Sequence, residues 1–74
     1  MIQERVKVVA TKVLDLEVEP RLESNLIHDL GADSLDMAEL VLCLEDEFDI
    51  WINDVEIENI ETIGEIVEYI KENI

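Results

Sequence analysis

In a chain of 74 residues, 20 Asp and Glu face five Lys and Arg, giving a formal net charge of −15 beside an apolar content of 49%. So short a chain buries only about 60–65% of its unfolded surface, which limits it to one domain, residues 1–74, around a modest core. The negative field repels nucleic acid and anionic membranes, while the apolar content is too high for an acidic disordered tail.

No apolar run approaches the roughly 18–20 residues of a membrane span, and Met1-Ile2-Gln3-Glu4-Arg5 does not lead into the apolar stretch of a signal peptide. The single cysteine, Cys43, cannot form an internal disulfide, so a reduced, cytoplasmic setting is expected, without membrane insertion. Charge is also unevenly placed. The basic residues are Arg5, Lys7, Lys12, Arg21 and Lys71, so Leu22 to Ile70 contains none and holds 15 of the acids. Such a surface attracts basic protein partners in a salt-dependent way.

In chain order, a first helix is predicted from Gln3 to Leu14, because Ile2, Val6, Val9 and Val13 recur at helical spacing while Glu4, Arg5, Lys7 and Lys12 stay off that stripe. Its β-branched valines weaken local propensity, so packing must hold it. Pro20 excludes a continuous helix through Asp15 to Asp33. That stretch reads as a long loop with Leu16, Leu22, Leu26, Ile27 and Leu30 as inward anchors, and loops of such length are often functional.

The second helix, Ser34 to Phe48, divides into two faces. Met37, Leu40, Val41, Leu44 and Phe48 face the core. Leu35, Ala38, Glu39, Leu42, Glu45, Asp46 and Asp49 share the opposite arc, either as an apolar spot rimmed by charge for transient docking or as an ordinary solvated face with the leucines under the loop. Asn53 and Glu56 suggest a short capped helix over Asp54 to Asn59, with Val55, Ile57 and Ile60 inward. Thr62-Ile63-Gly64-Glu65 has capping-box spacing and opens a last helix to Asn73, with Ile63, Ile66, Val67 and Ile70 inward. The fold class is all-α: a small four-helix bundle of three longer helices and a short one, with a long loop between the first two.

The junction Asp33-Ser34 has two readings. Asp33 can cap the second helix, with Asp36 reaching back, which leaves the Ser34 hydroxyl free; alternatively Ser34 is itself the cap. A superficial likeness of Gly31-Ala32-Asp33-Ser34-Leu35 to the Gly-Asp-Ser-Leu esterases fails on context. A catalytic serine needs a placed base, an orienting acid and an oxyanion hole, and His28, the only histidine, reads as a solvated loop residue. No catalytic residue and no specific metal site is expected, since paired His or Cys spacing and the calcium-loop pattern are missing. Loose divalent binding by clustered carboxylates remains compatible with the composition.

The segment DLGADSLDMAELVLCLEDEFDI, residues 29–50, closely resembles the prosthetic-group attachment region of acyl carrier proteins, particularly the freestanding ones of fatty-acid synthesis. The likeness covers nearly the whole chain in length, acidity, helix order and long first loop. It implies that Ser34 carries 4′-phosphopantetheine, transferred from coenzyme A by a phosphopantetheinyl transferase, with acyl groups held as thioesters. It implies further that Asp33, Leu35, Asp36, Glu39, Leu42, Glu45 and Asp46 meet basic surfaces of the transferase and of acyltransferase, ketosynthase, reductase and dehydratase enzymes. A monomer that is not itself an enzyme is implied.

Acyl chains would tuck among the helices, with Leu40, Leu44, Ile52, Ile57, Ile60, Ile63 and Val67 as lining candidates or simply core. Four positions depart from the family pattern: Asn53 replaces a frequent proline, Ile57 a smaller residue, Leu26 an aromatic and Trp51 a polar residue. Cys43 reads as a small packing residue. Carriers for polyketide, peptidyl or D-alanyl transfer, and an unmodified acidic interaction module, are the alternatives. Crowded like charge predicts marginal stability: the unfolding midpoint rises with added salt or divalent cations, and a midpoint insensitive to both contradicts this.

Overall fold

The structure, a computed structural model, describes the backbone of residues 1–74 and all side chains except that of Asp54. Its helices are α1 (Ile2–Leu14), α2 (Ser34–Phe48), α3 (Asp54–Ile57) and α4 (Ile63–Asn73). With only two glycines in the chain, α1 and α2 both end on an aspartate in the left-handed region, Asp15 at φ 52° and Asp49 at φ 53°. Aspartate tolerates this conformation better than most residues. Each turn is closed by paired bonds: the N–H groups of Asp15 and Leu16 donate to the Thr11 carbonyl, and those of Asp49 and Ile50 to the Glu45 carbonyl.

α1 packs against both α2 and α4, and the core forms where they meet. Val6, Ala10, Leu40, Leu44, Ile63, Ile66 and Ile70 are essentially inaccessible, with Val9, Val41, Phe48 and Val67 around them. The predicted inward faces of α1, α2 and α4 therefore hold, with Ile2, Val13 and Met37 partly buried at the margins. α2 has no basic residue in its last turn; α1 supplies one. Arg5 donates from Nε to the Glu47 carboxylate at 2.8 Å and from Nη2 to the Glu47 carbonyl at 2.7 Å. Its guanidinium also lies 4.4 Å from the centroid of the Phe48 ring, joining helix-end charge complementarity to a cation–π contact.

The long loop is stitched to the start of α4. Leu26 N–H donates to the Glu61 carbonyl (2.8 Å), Ile63 N–H to Ser24 (3.2 Å) and Gly64 N–H to Leu22 (2.7 Å). A Cβ at Gly64 would stand 3.0 Å from the Leu22 carbonyl oxygen, so glycine lets the loop approach the helix this closely. Leu26 is buried, Leu16, Leu22 and Leu30 are partly buried, and Pro20 joins them.

Four expectations are corrected. Ile27 is 59% exposed rather than an inward anchor: the Asn25 side-chain oxygen accepts from both Ile27 and His28 N–H, and this tight turn sends Leu26 inward and Ile27 outward. α3 is one turn ending at Ile57, not a helix to Asn59. The Asn53 side-chain oxygen accepts from Val55 N–H, and the next bonds, Asn59 to Glu56 and Ile60 to Ile57, span only three residues, tightening the chain out of the α-helix. Val55 consequently faces solvent, while Ile57 and Ile60 are partly buried. α1 begins one residue earlier than predicted, at Ile2.

Candidate functional site

Two carboxylates fix the N-terminus of α2. Asp33 has extended backbone angles, φ −110° and ψ −175°. Its Oδ1 accepts the Asp36 N–H at 2.9 Å, while its own N–H donates to Asp36 Oδ2 at 3.2 Å. This reciprocal pair is a capping box built from two aspartates. Ahead of it, Gly31 takes a left-handed φ of 73° and Ala32 is buried, its N–H held by the Leu26 carbonyl at 2.9 Å.

Ser34 follows at the first helical position, exposed, and among the described residues its hydroxyl makes no hydrogen bond. The capping role belongs to Asp33, and no base is bonded to the hydroxyl. The site can therefore present an attachment oxygen beside the partially positive helix end; chemistry on it requires activation from outside. Among the described residues, no group of three or more His, Cys, Asp or Glu could hold a metal ion.

Along the outward face of α2, Leu35 is 76% and Leu42 65% exposed, so the loop does not cover them. Ala38, Glu39 and Asp46 are exposed as well, and Asp36 is partly buried by its capping role. Glu45 departs from the solvated face assigned to it. It is partly buried, and its Oε2 accepts the Ile52 N–H at 2.8 Å, tying the α2–α3 loop back to α2. Trp51, one residue earlier, is 81% exposed. Cys43 is partly buried and free of any disulfide.

Beside this face a groove of about 660 Å³ runs between α2, the following loop and α3, lined mainly by apolar groups of Met37, Ala38, Val41, Leu42, Trp51, Ile52, Val55 and Ile57. Of the seven proposed acyl-lining residues, Ile52 and Ile57 border it. Leu40, Leu44, Ile63 and Val67 are close-packed core, and Ile60 borders separate clefts. Met37 and Val41, which periodicity places on the core face, also border the groove, as does Trp51, whose orientation periodicity does not address. Across α3, the Tyr69 hydroxyl accepts the Asn53 N–H at 3.4 Å. Partial burial, and then the neighbouring Glu56 carboxylate, raise the Tyr69 pKa above its ordinary 10.0, so this hydroxyl stays protonated throughout the neutral range.

The family described as "Phosphopantetheine attachment site" matches residues 4–70. An acyl carrier protein of Clostridium acetobutylicum is 46% identical over 72 residues, covering 96% of this chain and 94% of that protein. The chain belongs to the acyl carrier protein family. A solved Mycobacterium tuberculosis structure assigned as an acyl carrier protein superposes with a TM-score of 0.93 at 30% identity, covering 97% of each chain. Acyl carrier proteins are carriers rather than catalysts, and phosphopantetheine is their prosthetic group. The all-helical architecture is theirs too.

In this acyl carrier protein the Glu45 carboxylate fixes the loop that bears Trp51. Glu45→Ala is expected to cost about 1–2 kcal/mol and to speed hydrogen exchange at the Ile52 amide. Unchanged protection at Ile52 would show that the bond contributes nothing in solution.

Proposed function

We propose that this chain carries acyl groups as thioesters on a 4′-phosphopantetheine arm joined to Ser34, as a cytoplasmic carrier in fatty-acid synthesis. The observation that carries the proposal is the division of labour at the helix start: Asp33 and Asp36 satisfy the cap, and the adjacent hydroxyl stands exposed with no partner among the described residues. A phosphodiester on Ser34 would lie at the positive end of α2, a favourable place for an anion, although the two carboxylates offset part of that gain.

The outward face supports transient docking to basic surfaces of the transferase and of acyltransferase, ketosynthase, reductase and dehydratase enzymes. Leu35 and Leu42 supply apolar contact. Asp33, Asp36, Glu39, Glu45 and Asp46 supply steering, with Asp36 and Glu45 also serving the fold. The groove beside Met37, one turn from Ser34, suits the near part of an alkyl chain. This acidic face favours acyl transfer over aminoacyl or D-alanyl transfer.

Incubation with coenzyme A and a phosphopantetheinyl transferase should add the mass of one prosthetic group, and Ser34→Ala should abolish the gain. No gain with several competent transferases would contradict a carrier role.

A further inference from the structure

The strongest unexplained surface feature is an aromatic side chain held outward. Trp51 is the only tryptophan in the chain and is 81% exposed, yet its loop is pinned on both sides by one residue. Ile50 N–H donates to the Glu45 carbonyl at 3.2 Å and Ile52 N–H to the Glu45 carboxylate at 2.8 Å. A backbone held in this way loses little entropy when the residue it carries binds. It stands next to Leu42, and together they border a shallow recess edged by Asp46 and Asp49.

Phe48 offers a contrast. Its ring is covered by Arg5, whereas no Lys or Arg occurs between Leu22 and Ile70 and, among the described residues, no cation lies over Trp51. Indole is the better cation–π acceptor, and tryptophan beside an apolar contact and a charged rim has the composition of a binding hot spot.

From this we infer that Trp51, with Leu42, is the apolar anchor on which the phosphopantetheinyl transferase docks, through a surface recess lined by apolar groups and edged by Lys or Arg. The inference rests on the carrier reading, since an enzyme working at Ser34 must sit over this face. At about 1.5 Å per residue along α2, Ser34 lies about 12 Å along the helix axis from Leu42, beside which Trp51 stands. An interface of about 800 Å² per partner is wide enough to cover both.

The test uses the full chain labelled with 5-fluorotryptophan, whose single fluorine resonance reports Trp51 alone, together with steady-state loading by the transferase. Adding transferase should shift or broaden the resonance. Trp51→Ala should raise the KM for the carrier at least about tenfold with kcat unchanged, and Trp51→Phe should recover most of the loss. An unmoved resonance, or equal KM for Trp51→Ala, overturns the inference. So does a resonance that responds only to acylation or only to carrier concentration, which would assign the face to the cargo or to a second copy. Failure of the unmodified carrier to be loaded would count against the carrier reading, and the resonance titration would still decide docking.

Discussion

The structure depends first on two hydrogen bonds between Asp33 and Asp36, each residue's carboxylate accepting from the other's backbone. They stop α2 at a defined residue and satisfy two donors that a helix start leaves open. Because neither bond uses Ser34, the hydroxyl is separated from the fold that positions it. A covalent arm can be added there without removing any contact that the helix needs. Burial of Ala32 and the left-handed Gly31 bring the chain to this point from the loop side.

The opposite end of α2 is organised by a second carboxylate. Glu45 sits at a position where periodicity predicts a solvated acid, yet it closes the helix through its carbonyl and holds the following loop through its side chain. Acidity in this protein therefore has two roles. Some carboxylates, such as Glu39 and Asp46, are free to shape an external field, while Asp33, Asp36 and Glu45 are built into helix ends. Arg5 completes the scheme by bringing a cation from α1 to the end of α2, where α2 has none of its own.

Much of this was legible in residue order. The stripe Val6-Val9, the Leu40-Leu44 pair and the Ile63-Ile66-Ile70 series place their helices because the burial of one face dominates such elements. The Thr62 cap was legible because capping spacing is local, whereas residue order at Asp33-Ser34 allowed either residue to cap and the structure decides for Asp33. Ile27 and Val55 were misplaced for a local reason too: Asx turns at Asn25 and Asn53 set their directions, and apolar character alone does not reveal those turns. The groove was less legible still. Leu40 and Met37 lie on one arc of α2, but only Met37 faces the gap left by the single-turn α3, and that gap is fixed by how the loop crosses α2.

The separation of cap from attachment point is tested most directly by equilibrium unfolding of two single variants. Ser34→Ala should unfold within about 0.5 kcal/mol of the parent, whereas Asp33→Ala should lose about 1 kcal/mol with its cap. A Ser34→Ala variant destabilised as much as Asp33→Ala would contradict the account, because it would show that the serine belongs to the fold.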